Sequence, residues 1–382
     1  MVMKNLKTGN LMGEKNRIKS CYIHIPFCKK ICSYCDFCKN FYNDNIIDSY
    51  LNSLHKEIKK IYKGDVLNTI YIGGGTPSSL SADKLVKLFN VLKIFKLSDK
   101  YEYTFECNYE DINDDLLSIL KKNKINRLSI GIQTFNEKYS KVLNRNINRA
   151  EIIKKVFLAK KYFNNINVDL MYALPSQSIN DLKNDLKEFI KLDVTHISTY
   201  ALIVEEHTKL YIDKIKEVSD DIQNDMYYLI VDTLKENGYN HYEISNFSKE
   251  GYFSKHNLTY WNNDNYYGFG LGASSFIENK RIDNTRSINN YINGKIIMNK
   301  DSLNTKSLIK DEIMLSLRKT SGINKKDFYN KYNKKISDVF NYNDILKNNL
   351  LKETDDYLFI PEEKLFISNE IIIQLLDSYT LN

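Results

Sequence analysis

Six short apolar runs, each followed by a longer stretch of helical period, fill the first two-thirds of the chain and constrain its fold more than any other feature. The runs are CYIHI (21–25), TIYIGG (69–74), YTFEC (103–107), RLSIGIQ (127–133), NVDLMY (167–172) and THISTYAL (195–202). Between them lie DSYLNSLHKEIKKIY, ADKLVKLFNVLKIF, NDDLLSILKKN, RAEIIKKVFLAKKYF and INDLKNDLKEFIKL, whose apolar residues recur every three or four positions. Strands alternating with helices of about 10–15 residues form βαβ units, and such units build a parallel sheet. Six in succession predict an α/β fold: a partial (β/α)6 barrel of TIM-like form rather than an open dinucleotide-binding sheet.

Near the C-terminal end of these strands the apolar pattern breaks at a polar or glycine position: Gly73–Gly75, Glu106, Gln133, Asp169 and Tyr200. The active sites of α/β barrels are built at that rim, from the ends of different strands. The barrel core is predicted over residues 20–240, behind an N-terminal extension of residues 1–19. Residues 241–300 read as an aromatic, glycine-bearing loop region packed on the core. Residues 301–382 read as a small helical domain of winged-helix type, with ETDDYLFIPEEKLFIS as a short hairpin.

The 382 residues carry 55 Lys and Arg against 48 Asp and Glu, a net charge of +7. The basic residues are interleaved with acids, as in DKLVKLF and NDLKEFIKLD, which gives solvated helix faces and no basic stripe for nucleic acid. No run of about 18 apolar residues occurs, so no membrane span is expected. The opening segment MVMKNLKTGNLMGEKNRIKS lacks the apolar region of a signal peptide. The expected location is the cytoplasm, where thiols stay reduced and clustered cysteines serve metals or redox chemistry.

Four of the six cysteines stand in FCKKICSYCDFCKN (27–40), at Cys28, Cys32, Cys35 and Cys38. A structural zinc site takes four ligands, often as two pairs far apart in sequence. No second Cys/His pair stands elsewhere, although Cys38 leaves a local four-thiolate zinc or iron–sulfur site open. The preferred reading is a [4Fe–4S] cluster on Cys28, Cys32 and Cys35, with one iron left to an outside ligand. Downstream, YIGGGTP (71–77) ends a strand in three glycines, which let backbone approach a ligand closely. GFGLG (268–272) lacks the strand-then-helix context of a dinucleotide loop.

Together, C-x3-C-x2-C and the GGGTP strand end resemble the radical S-adenosylmethionine superfamily. The stretches YIHIPFCKKICSYCDF, GGGTPSSLS, ECN, RLSIGIQTF, NVDLMYALPSQS, HISTYALIVEEHT, YEISNF and HNLTYW extend the resemblance over most of residues 20–275. They point to the branch that contains oxygen-independent coproporphyrinogen III oxidase and the HemW-type heme chaperones. The resemblance implies that Cys28, Cys32 and Cys35 hold the cluster and that S-adenosylmethionine chelates its open iron. It places Tyr22 and Phe37 beside the cluster, Phe37 next to the adenine, and Gly74, Gly75 and Thr76 against the methionine moiety. It gives Glu106, Gln133, Arg145 and Asp169 to S-adenosylmethionine, Arg145 toward the carboxylate and Asp169 toward the ribose hydroxyls. A guanidinium pairs well with a carboxylate, and carboxylates accept from hydroxyls. Electron transfer from such a cluster would cleave the sulfonium to a 5′-deoxyadenosyl radical.

Within that branch the oxidases usually read C-x3-C-x2-C-x-C, where Phe37 takes the last position here, and only 21 residues precede Tyr22. The chaperones carry an H-N-x-x-Y-W motif implicated in heme binding, present as His256, Asn257, Tyr260 and Trp261. A neutral imidazole can ligate heme iron; the alternative is a histidine that fixes a loop beside packed aromatics. The resemblance therefore implies heme as cargo, delivered to an acceptor hemoprotein, and allows transient contact with membrane hemoproteins. It also implies an unidentified low-potential electron donor. The second reading is radical oxidative decarboxylation of coproporphyrinogen III in porphyrin biosynthesis. Departures from the branch pattern are Tyr109 for proline, Ile147 and Ser274 for histidines, and Ser254 for cysteine.

Overall fold

All six expected strands form in the computed structural model of the chain, which describes residues 17–380. Most of the expected N-terminal extension, with the segment read for a signal peptide, thus lies outside the described residues. The strands are β1 (Ser20–Ile25), β2 (Val66–Gly74), β3 (Lys96–Asn108), β4 (Arg127–Gln133), β5 (Asn165–Tyr172) and β6 (His196–Ala201). They pair in parallel in sequence order, as a partial barrel requires.

Each crossover carries a helix: α1 (Asp44–Ile61), α2 (Ala82–Leu92), α3 (Asp114–Lys122), α4 (Arg149–Lys160) and α5 (Ile179–Lys191), with α6 (Asp220–Glu236) after β6. Their starts are written locally. Asn43, Asn113, Asn148 and Ser178 each accept a hydrogen bond from a backbone N–H in the first turn, and Asp181 completes a capping box with Ser178.

The period-two alternation of the strands sorts side chains into two environments. Ile23, Ile72, Phe105, Ile130, Val168 and Ile197 are fully buried and join the apolar core. The alternate positions, among them Tyr71, Glu106, Arg127, Asn167 and Asp169, line a cavity of about 360 Å³. A TIM barrel usually fills its interior with branched apolar layers. A polar interior with open volume instead makes a lumen for a ligand.

Residues 241–300 differ from the expected loop region. β7 (Asn240–Glu243) and β8 (Asn246–Ser248) extend the sheet antiparallel beyond β6. After helix α7 (Lys255–Trp261), β9 (Tyr266–Phe269) returns to pair in parallel with β1. β10 (Ser274–Ile277), β11 (Lys280–Asn284) and β12 (Ile297–Ser302) continue from it as an antiparallel meander. One sheet of twelve strands results, in the order β12-β11-β10-β9-β1-β2-β3-β4-β5-β6-β8-β7.

The C-terminal part holds α8 (Thr305–Ser316), α9 (Lys325–Tyr332) and α10 (Ser368–Asp377). The expected hairpin forms between 352–353 and 357–359, and residues 323–324 add a third strand to it. This part grips the end of α7: Ser316 donates to the Trp261 carbonyl at 3.2 Å and Lys319 to the Asn262 side chain at 2.6 Å. Among the described residues no helix is long and apolar enough to cross a membrane.

Candidate functional site

The cysteine loop leaves the end of β1 and is fastened at its base and its tip. At the base, the Asn40 N–H donates to the Pro26 carbonyl (2.6 Å) and the Tyr42 N–H to that of Cys28 (2.9 Å). The Gly75 and Thr76 N–H groups donate to Ile25 and Phe27 at 2.9 Å each, which ties the loop to the end of β2. At the tip, the Ser33 N–H reaches the Leu143 carbonyl and the Asn144 side chain reaches that of Ile31. The sulfurs meet polar partners, with the Thr76 hydroxyl 3.4 Å from Cys28 Sγ and Arg145 Nη1 3.5 Å from Cys32 Sγ.

Burial pushes the Cys28 thiol up to about 11, against the Thr76 hydrogen bond, and the nearby Cys35 and Cys32 thiols add to the rise. Burial raises Cys35 as well. Both thiols therefore keep their protons at neutral pH until a metal displaces them. Among the described residues no three His, Cys, Asp or Glu side chains converge on single-ion spacing. A four-iron cluster binds each thiolate at a different iron, so its ligands need not converge on one point. Cys38 is engaged elsewhere: its thiol faces the Arg286 carbonyl at 3.8 Å and its own carbonyl bonds His24 Nε2 at 2.7 Å.

The glycine turn explains itself sterically. Gly74 sits at φ +118°, and a Cβ there would lie 2.6 Å from the His24 ring. A Cβ on Gly75 would lie 2.9 Å from Cys28 Sγ. Only glycine lets the end of β2 close against the cysteine loop.

Behind that turn, Glu106 accepts from the Gly74 N–H at 3.0 Å and the Tyr71 hydroxyl at 2.7 Å. Burial pushes its carboxyl up to about 7. Asp169 accepts from Asn167 Nδ2 at 2.8 Å, and burial lifts it to about 6. Gln133 ends β4 at φ +76°, a strained backbone for a residue with a side chain and one often found at functional sites. Arg145 is held across the ends of β3 and β4, donating to Asn108 Oδ1 and the Gly131 carbonyl at 2.8 Å each.

The expected residues thus fall into three groups. Phe37, Glu106, Gln133 and Asp169 line the lumen cavity together. Gly74, Gly75, Thr76 and Arg145 stand at the rim against the cysteine loop. Tyr22 lies behind Tyr71, with its hydroxyl 2.9 Å from His24 Nδ1.

His256 is at the opposite end. It is 1% exposed on α7, where its Nδ1 shares a hydrogen bond with Thr69 (2.8 Å) and its Nε2 with Tyr260 (2.9 Å). Burial lowers its pKa to about 3, so the ring is neutral, and it stacks on Tyr71. In this arrangement neither nitrogen is free to meet an iron. The reason is the barrel floor, where Ser20, Thr69 and Glu102 stand side by side in register on β1, β2 and β3. Helix α7 closes over them: Thr259 bonds Ser20 at 2.8 Å, and Glu102 accepts the N–H groups of Lys255 and His256 at 3.1 Å each.

Cavity-lining residues that the sequence did not single out include Tyr34 and Arg127, and Asn257 was read only as part of the H-N-x-x-Y-W motif, with no place in the lumen expected for it. Arg127 was legible, since RLSIGIQ puts it on the same side of β4 as Ser129 and Gln133. Tyr34 and Asn257 come from a loop and a helix end, whose directions no strand period fixes. At the mouth, Phe37, Tyr200 and Ile203 are 69%, 43% and 59% exposed and make an apolar collar above the polar lumen.

A family model described as the radical SAM superfamily matches residues 22–189, and one described as the HemN C-terminal domain matches residues 303–366. Heme chaperone HemW of Lactococcus lactis subsp. lactis (strain IL1403) is 40% identical over 323 residues, covering 82% of this chain and 85% of its own. That of Bacillus subtilis (strain 168) is 36% identical, covering 93% of this chain and 98% of its own. The solved structure of Escherichia coli coproporphyrinogen III oxidase (HemN) superposes with a TM-score of 0.83 at 21% identity, over 95% of this chain and 91% of that one, which shows the shared fold. The superfamily implies a [4Fe–4S] cluster and S-adenosylmethionine, and the three-thiol loop over a polar lumen suits both. The chain belongs to the radical S-adenosylmethionine superfamily and, within it, to the HemW family.

Proposed function

We propose that this chain binds heme and delivers it to an acceptor hemoprotein, with the cluster on Cys28, Cys32 and Cys35 and S-adenosylmethionine in the lumen below. The observation that carries this is the near end-to-end similarity to the Bacillus subtilis heme chaperone. Local chemistry supports it. The collar of Phe37, Tyr200 and Ile203 offers exposed apolar surface where a flat macrocycle could be covered. His256 can serve as an axial ligand only after Thr69 or Tyr260 releases one of its ring nitrogens, so the collar is the better first seat.

When bound, the cluster supplies an electron to the sulfonium of S-adenosylmethionine. This chain's residues do the positioning. Arg145 faces the amino-acid end, Gly74, Gly75 and Thr76 hold the methionine backbone, and Phe37 covers the adenine. Glu106, Gln133 and Asp169 take the remaining polar atoms, and Tyr22 backs the site through His24. The partners required are an acceptor hemoprotein and a low-potential electron donor, and the proposed location is the cytoplasm.

Anaerobic hemin titration of the cluster-reconstituted protein, followed at the Soret band, tests this. Saturable one-to-one binding supports it. Absence of saturable binding, with coproporphyrinogen consumed in the presence of S-adenosylmethionine and reductant, replaces it with the oxidase reading.

A further inference from the structure

The lumen carries a guanidinium that none of its walls hydrogen-bonds. Arg127 is 2% exposed and lines the cavity, yet among the described residues nothing hydrogen-bonds its guanidinium and no carboxylate lies within ion-pair distance of it. Its Nε is buried without a partner. Thr104, its register partner on β3, also buries its hydroxyl unpartnered. A buried guanidinium whose donors go unpaired destabilises a fold.

The carboxylates that share the cavity, Glu106 and Asp169, feel the charge of Arg127 but spend their hydrogen bonds on other groups. Glu106 is taken by Tyr71 and the Gly74 N–H, and Asp169 by Asn167. Glu102 is spent on the start of α7. Asn257, on α7, lines the same cavity. A planar fork of donors in a desolvated pocket is suited to one chemistry above others, a carboxylate.

We propose that Arg127, with Asn257, is a receptor for a ligand carboxylate lowered to the floor of the lumen. The group comes either from a propionate arm of a tetrapyrrole or from S-adenosylmethionine itself, in which case Arg127 replaces Arg145 as the partner of the amino-acid carboxylate. This deepens the heme-carrier reading and rests on it for the first source only. Arg145 at the rim and Arg127 at the floor then give the lumen two cationic ends, while Glu106 and Asp169 hold the middle.

The test uses the full-length, cluster-reconstituted protein without oxygen. Arg127→Gln and Arg127→Lys are compared with the parent for binding of hemin, hemin dimethyl ester and S-adenosylmethionine, with thermal melts as a folding control. Loss of a charge-assisted hydrogen bond weakens binding by about 10- to 100-fold. Such a loss in Arg127→Gln for hemin but not for its dimethyl ester assigns the propionate. The same loss for S-adenosylmethionine alone assigns the amino-acid carboxylate, and Arg127→Lys recovers part of either. A folded Arg127→Gln that binds both ligands within twofold of the parent overturns the proposal. Should that variant fail to fold, equal parent affinity for hemin and its ester, with S-adenosylmethionine affinity unchanged in Arg127→Lys, overturns it equally. A parent that binds no hemin removes the heme-carrier reading alone, and the S-adenosylmethionine arm still decides on Arg127.

Discussion

The two ends of the same barrel strands use similar residues to opposite effect. At the floor, Ser20, Thr69 and Glu102 meet a helix of their own chain, and His256, Thr259 and two backbone N–H groups satisfy them. At the rim, Glu106 and Asp169 face a cavity, their carboxyls lifted by burial, beneath thiols kept protonated and an exposed apolar collar. A polar residue on a barrel strand is therefore not by itself a sign of a ligand site. What matters is whether the residue also fronts open volume that a ligand can fill, as Glu106 and Asp169 do.

The sharpest way to break this contrast is at the cysteine loop. Replacing Cys28, Cys32 or Cys35 by Ala is expected to reduce bound iron from about four per chain to near none, with loss of the cluster absorption. Cys38→Ala is expected to leave iron content unchanged; a loss there would bring Cys38 into the ligand set.

At the floor the expected effect is on stability. Glu102→Ala strands two N–H groups, which should cost about 2–4 kcal/mol in denaturant unfolding, with less lost in Glu102→Gln. Affinity for S-adenosylmethionine should stay within twofold; a tenfold loss would make the Ser20, Thr69 and Glu102 row part of the site. His256→Ala should cost about 1–3 kcal/mol by leaving Thr69 unpaired, again without effect on S-adenosylmethionine.

The smallest effect is a pH dependence at the rim. A carboxyl with a raised native pKa holds its proton in the fold, so its stabilisation is full below the usual carboxylate range and fades as pH rises toward 7. Binding runs the other way, because the ionised forms of Glu106 and Asp169 attract the sulfonium cation. Affinity for S-adenosylmethionine is expected to rise severalfold between pH 5.5 and 8, and Glu106→Gln to flatten that rise. A parent profile that is already flat removes these carboxyls from the account.

Much of this was legible in the sequence, for a physical reason. RLSIGIQ forms β4 over the expected residues, and the helix over 149–160 starts at the expected Arg149 after its Asn148 cap. Long periodic segments announce themselves because burial of one face and capping are both local. The strands of residues 240–302 did not, since they run for only three to six residues between Asn, Ser and Gly, and pairing with β1 and β6 decides them. The cysteine loop and glycine turn were readable because each residue type has a local reason. The H-N-x-x-Y-W motif was not, because its direction depends on where α7 lands. His256 goes to the floor, and Asn257, one residue on, to the lumen. Substituted positions also gain sense: Tyr109 is buried with its hydroxyl on the Asn146 carbonyl at 2.6 Å, and Ser254 caps α7.

The contrast between rim and floor is tested most directly by anaerobic hemin titration of three cluster-reconstituted proteins: the parent, Tyr200→Ala/Ile203→Asp and His256→Ala. The expected result is saturable one-to-one Soret binding in the parent, weakened tenfold or more by the rim pair and kept within twofold by a folded His256→Ala. Undiminished binding in the rim pair, with binding lost in a folded His256→Ala, would contradict it and place the heme at α7.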